Sequence, residues 1–232
     1  MLAATAAQAL AEVSVLPDST TRDVARAASS GPRAARLRAV ELLSRAAPST
    51  RPSVARTLGA AAESPDTLVQ AVALHNLVTL LPQLDATERS GLLPVVSRAT
   101  HVAASDVRWS ALEAYATYAD LALDADSVWA VTGPAPAAPS ADVRAAAAAA
   151  LGAFAGATVA TSPRAASAVA ALVRSLDDAE PDVRRESARA LGAFGRVALP
   201  AAAALRARGA DANPGVQVAV HEALARLGVA AP

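Results

Sequence analysis

The chain has 232 residues, 53% of them hydrophobic but only 3% aromatic, with 21 basic residues, all Arg, balanced by 21 acids, and no Cys. Without Cys it has no disulfide, thiolate metal site or Cys nucleophile, and zero net charge argues against a nucleic-acid binder that draws its affinity from phosphate contacts. No charge-free apolar run reads as membrane-spanning, and the stretch from Met1 to Leu16 lacks the basic leader of a signal peptide, so a cytoplasmic protein is expected.

Small and apolar residues recur at spacings of three and four, the stripe of helices packed on one side. A first helix is expected from Leu2 to Val15, ended by Pro17. The polar run Asp18 to Thr21 can cap a second helix carrying Val24 and Ala28. After Ser30-Gly31-Pro32, the next stripe is Leu37, Val40, Leu43 and Ala47. Pro48 and Pro52 bracket a turn before a helix through Val54, Leu58 and Ala62. Ser64-Pro65 reads as cap and first-turn proline of a helix with Val69, Val72, Ala73, Leu77 and Leu80 inward, stopped at Pro82.

Asp85 to Glu88 opens the next helix, which contains Leu93-Pro94. Ser105-Asp106-Val107-Arg108 starts another, continuing through Ala111, Ala114, Tyr115 and Tyr118. Residues 124–131 suffice for a short helix. The Pro/Ala-rich stretch at 132–139 reads as a hinge or as an insertion on one face. Helices follow from Ser140 to Phe154, from Ser162-Pro163 through Leu176, and over 181–195. A short one is led by Leu199-Pro200, and a last one runs from Asn213 to Leu227.

Aligned on Val69, Val107, Val143, Val183 and Val216, the chain repeats at intervals of 38, 36, 40 and 33 residues. Four residues on stand Ala73, Ala111, Ala147, Ser187 and Val220, all but the last small. Eight on are Leu77, Tyr115, Leu151, Leu191 and Leu224; eleven on are Leu80, Tyr118, Phe154, Phe194 and Leu227, all large. Ala35, Ala39 and Leu43 are a weaker sixth unit. Such self-similarity is the mark of a helical repeat array. The expectation is an all-α single domain with repeats at about 19–47, 51–81, 86–121, 124–157, 163–196 and 199–228.

Asp106-Val107-Arg108, Asp142-Val143-Arg144 with Ala150-Leu151-Gly152, Asp182-Val183-Arg184 with Ala190-Leu191-Gly192, and the pairs Leu93-Pro94 and Leu199-Pro200 resemble the HEAT repeat family. The likeness is strong over 100–228 and fainter before; Gly215 and Gln217 depart from the Asp and Arg usual in the motif. The resemblance implies a right-handed α-solenoid of about six helix pairs that holds other macromolecules on its concave surface.

Charge is uneven: residues 1–60 carry eight Arg against four acids, 61–139 three against nine, and 140–232 ten against eight. The basic start is expected to be a solvated face, with binding of phosphate, of an acidic protein face or of another copy's acidic middle as the alternatives. Arg108, Arg144 and Arg184 read foremost as links between neighbouring repeats, the Asp of each motif favouring its helix dipole and pairing with Arg one repeat along; a ladder offered to an acidic partner is the other reading. Tyr115 and Tyr118 fall on core positions. Trp109 falls where other units have Ala71, Ala145, Arg185 and Val218, making it the best exposed contact candidate, with packing against a neighbouring helix equally open. His75, His101 and His221 have no metal-ligand spacing and read as solvated. The acids at 177–180 read as turns with solvated charge.

No nucleophile elbow, P-loop or dinucleotide fingerprint is present, and no cofactor is expected. The favoured function is a non-catalytic scaffold binding another protein through its second helices, at Gln70, Arg108, Trp109, Arg144, Arg184, Arg185, Gln217 and His221. One alternative is nucleic-acid binding or repair, as in the DNA alkylation-repeat glycosylases of similar fold, against which the scarce aromatics and neutral charge weigh. Another is a maturation role like that of bilin lyases with related repeats, for which no residue set speaks.

Overall fold

The computed structural model describes residues 15–121, 123, 125–133, 137–155 and 159–230. The helix expected from Leu2 lies outside the described residues up to position 14. The described helices are α1 (Asp18–Ser30), α2 (Arg33–Leu43), α3 (Arg51–Ala61), α4 (Thr67–Leu80), α5 (Ala86–Ala99), α6 (Ser105–Ala116), α7 (Ala125–Thr132), α8 (Ala141–Phe154), α9 (Ala165–Ser175), α10 (Pro181–Phe194), α11 (Ala202–Ala207) and α12 (Pro214–Leu227). Among the described residues no strand forms; Leu16 and Ala46 make one isolated bridge. No described helix is long and apolar enough to cross a membrane.

The chain divides into two compact units, residues 1–114 and 115–232, the division falling inside α6. In the first unit α1 packs on α2 and α3 on α4, while α2 meets α4 and α1 meets α3. Val24, Val40, Leu43, Val54, Leu58, Val69, Leu74 and Leu77 fill its core. In the second, α10 lies between α8 and α12 and against α9, with α11 on α12 and α7 on α8. Leu151, Phe154, Leu172, Val183, Leu191, Val216 and Leu224 are buried there, and the Tyr115 ring sits 5.3 Å from that of Phe154. Burial of these side chains, at about 1.5–3 kcal/mol each for the larger ones, is what makes amphipathic segments this short stable as helices.

Small residues set how closely the second helices of this unit approach. A Cβ on Gly152 would stand 3.0 Å from the Ala190 Cα, and one on Gly192 would stand 2.9 Å from the Ala223 Cα. The Leu-Gly pairs are therefore contact points where one backbone lies against the next.

Three helix starts differ from the sequence reading. Asp66, not Ser64, caps α4: its carboxylate accepts from the Leu68 N–H at 3.1 Å. Pro163 lies ahead of α9, whose N-cap position is Arg164. Leu199-Pro200 sits within a 3-10 stretch, Gly195–Ala201, and α11 begins only at Ala202. In each case a local Ser-Pro or Leu-Pro signal marks the turn and the chain winds on before the α-helix begins. Asp85 does open α5, in a capping box with Glu88, which satisfies two N–H groups at once. Pro134, Ala135 and Pro136 of the Pro/Ala-rich stretch lie outside the described residues.

Candidate functional site on the second helices

The even-numbered helices, the second of each pair, share one feature. The fourth residue of each is Arg or Gln: Arg36, Gln70, Arg108, Arg144, Arg184 and Gln217. Arg144 Nη1 donates to the carbonyls of Ala138 and Pro139, both at 2.9 Å, in the turn that precedes its own helix. Arg184 does the same to Asp178 and Ala179, again at 2.9 Å. Gln217 donates to the Asp211 carbonyl at 2.6 Å, and Gln70 to that of Ala62 at 3.0 Å. These side chains close the turns leading into their helices, satisfying carbonyls that have no helical partner.

The two Arg side chains also reach forward. Arg144 Nε and Nη2 fork onto Asp178 at 2.7 and 2.8 Å. Arg184 Nε and Nη2 fork onto Asp211 at 2.9 and 2.8 Å. Each carboxylate further accepts from the backbone N–H two residues on, Glu180 and Asn213 respectively. The guanidinium hydrogen bond holds both carboxyls below the usual carboxylate range, against the opposing pull of burial. So Arg144 and Arg184 join successive repeats, but the acids they use stand in the turns; Asp142 and Asp182 of the Asp-Val-Arg motifs are exposed. Asp178, read from the sequence as solvated charge, is 13% exposed at its side chain and paired. The bidentate geometry is the strong form of such a bond.

With Gln70, Arg144, Arg184 and Gln217 occupied in this way, other residues make up the outward faces. On α4 and α6 of the first unit, Leu68 is 47% and Trp109 37% exposed. His75, from α4, stacks on Trp109, from α6, with ring centroids 6.3 Å apart and planes 25° off parallel. Trp109 thus both packs against the neighbouring helix and shows an open edge. Glu113, one turn on from Trp109, is half-buried, and its carboxyl is pushed up by that burial, with His75 pulling the other way. Asp106, one turn back, is exposed. The stacking of His75 is legible only in the structure, since it depends on two helices about one repeat apart.

In the second unit, Arg185 bonds Asp182 at 2.5 Å and Glu186 at 3.0 Å, and Arg189 bonds the same Glu186. This is a charged face on α10. Val218 is 55% exposed on α12, and His221 is exposed on the same helix. Arg108 is half-buried, with a buried Nε that meets no acceptor among the described residues. Among the described residues no three His, Asp or Glu side chains come together as metal ligands.

Residues 134–225 match the family model for HEAT repeats. No curated protein matches the chain. Among solved structures, an engineered protein aligns with a TM-score of 0.70 at 19% identity, over 92% of this chain and 97% of that one. A designed armadillo repeat protein aligns at 0.64 and 18% identity, over 88% and 98%. A second, in complex with the peptide (KR)4, aligns at 0.59 and 19% identity, over 95% and 97%. The all-α fold of paired helices is thus similar to that of designed armadillo repeat structures, and residues 134–225 carry the match to HEAT repeats.

Proposed function

We propose that the chain is a non-catalytic scaffold that holds another protein against the outward faces of its second helices, the concave surface of a repeat stack. The observation that carries this is Trp109: a large, partly exposed aromatic, fixed in orientation by the His75 ring and neighboured on the same helix by Asp106 and Glu113. A rigid indole presents contact area at little conformational cost, the property of an interface anchor. Acids outnumber Arg nine to three across residues 61–139, so this face suits a partner segment with basic side chains, whose cations also favour the indole face. A designed armadillo repeat protein of similar fold is in complex with the basic peptide (KR)4. In the second unit Arg185, Val218 and His221 offer a face of their own on α10 and α12, while Gln70, Arg144, Arg184 and Gln217 serve the scaffold by closing the turns.

The test is fluorescence of Trp109 in a Trp129→Phe background, titrated with (Lys-Arg)4 and with an octaglutamate control. The basic peptide should change the emission saturably, the acidic one should not, and Trp109→Ala should weaken binding about tenfold, measured by calorimetry. Equal binding by the Trp109→Ala protein would remove Trp109 from the interface.

A further inference from the structure

The clamp between repeats has a member with no acid to hold. Arg36 is the fourth residue of α2, as Arg144 is of α8 and Arg184 of α10. Its Nε is fully buried without an acceptor, and no hydrogen bond or ion pair among the described residues reaches its guanidinium. Arg144 and Arg184 use the same nitrogen to grip Asp178 and Asp211. Those two acids stand six residues before the fourth position of the next second helix. Counting back six from Gln70 gives Ser64.

Ser64 also keeps the local geometry of the two acids. Its Oγ accepts from the N–H of Asp66 at 3.2 Å, two residues on, as Asp178 accepts from Glu180 at 3.0 Å and Asp211 from Asn213 at 2.9 Å. The turn is the same, but its carboxylate stands two residues on, at Asp66, where Arg33 of α2 holds it at 2.5 Å, so the position facing Arg36 has a hydroxyl in place of an acid. Arg36 and Ser64 face a common cavity of about 160 Å³, walled by Ala28 and Ser29 of α1, Thr57, Ala60 and Ala61 of α3, and Val69 of α4. That volume holds several waters or one carboxylate with its methylene. The Ser29 and Thr57 hydroxyls are committed to helix carbonyls at 3.0 and 3.1 Å. The Ser64 hydroxyl, having accepted from Asp66, keeps its own proton to donate.

We infer that this cavity is a carboxylate-binding site, filled by the Asp or Glu side chain of an acidic partner segment that completes the Arg36 fork in place of the missing turn acid. With the guanidinium turned so that Nε meets the cavity, the fork and the Ser64 hydroxyl supply three donors to one anion, and a buried guanidinium nitrogen with no acceptor is stabilised by gaining one. Arg36 is the one charged side chain among the residues that wall the cavity, so the lining agrees in sign. The site is separate from the Trp109 face and stands or falls without it.

The experiment follows the Arg36 Nε–Hε signal and the Ser64 amide in ¹⁵N-labelled full-length protein, titrated with the blocked peptide Gly-Glu-Gly, with the matching Gly-Gln-Gly, and with acetate, all at constant ionic strength. The Glu peptide and acetate should move both signals saturably in the millimolar range, and the Gln peptide should not. In Arg36→Gln the Ser64 response should fall about tenfold or more. Ser64→Asp should place the acid within the chain: Arg36 Nε–Hε then starts at its bound position, and added carboxylate no longer moves it. Absence of a saturable shift, an undiminished response in Arg36→Gln, or an unmoved Arg36 signal in Ser64→Asp would each overturn the site. A response to acetate without one to the Glu peptide would overturn the partner segment as its occupant.

Discussion

Replacing Asp211 with Ala removes both acceptors of the Arg184 fork and the acceptor of the Asn213 N–H in one step. The Asp211 side chain is 3% exposed and that of Arg184 13%. Water therefore reaches the stranded guanidinium only in part. Hydrogen bonds to charged groups contribute about 1.5–3 kcal/mol each, and breaking a buried pair from one side costs about 3–5 kcal/mol. Partial access of water to Arg184 puts the expected loss near the low end, about 3 kcal/mol. It should appear as a lower urea midpoint at unchanged slope, followed by circular dichroism. Combining Asp211→Ala with Arg184→Met should cost less than the sum of the two single changes by about 1–3 kcal/mol, because no charge is left unpaired. The Asp211 carboxyl lies below its ordinary value, chiefly through the Arg184 hydrogen bond. Its contribution is then complete above the unfolded value, about 3.9, and is lost as pH falls through the folded value. Wild type should therefore lose more stability than Asp211→Ala as pH is lowered below about 4. A loss under about 1 kcal/mol, with the same acid sensitivity in both proteins, would refute the clamp as a source of stability.

Further changes separate the remaining claims. Leu191→Ala, at a fully buried position, should cost about 2–5 kcal/mol in the same titration, and a loss below about 1 kcal/mol would place Leu191 at the surface. Gly192→Ala should destabilise by about 1–3 kcal/mol even though Ala is the better helix former, because the new methyl meets the Ala223 backbone. Gly91→Ala, on α5 with nothing within 4 Å, should stabilise by about 0.5–1 kcal/mol; the same sign at both glycines would contradict the close approach of α10 and α12. Asp85→Ala should lower stability by about 1 kcal/mol through loss of the α5 capping box.

Periodicity alone placed the buried face of each second helix. Val69, Val107, Val143, Val183 and Val216 are all buried, as are Leu77, Tyr115, Leu151, Leu191 and Leu224 eight residues on. An amphipathic segment has one way to hide its apolar stripe, so helix and inward face follow from local order. Helix starts were legible where a side chain caps its own backbone, as at Asp85 and Asn213. What Arg144 and Arg184 hold was decided by the tertiary structure, since the distance from one second helix to the turn before the next depends on how closely Gly152 and Gly192 let the backbones pack. That spacing brings Asp178 and Asp211 within reach and leaves Asp142 and Asp182 outside. In the first unit, helix packing likewise leaves the Arg36 Nε buried without an acceptor and lays His75 on Trp109. An ion pair or ring stack between repeats joins residues about thirty apart, and its geometry exists only once the helices between them have packed.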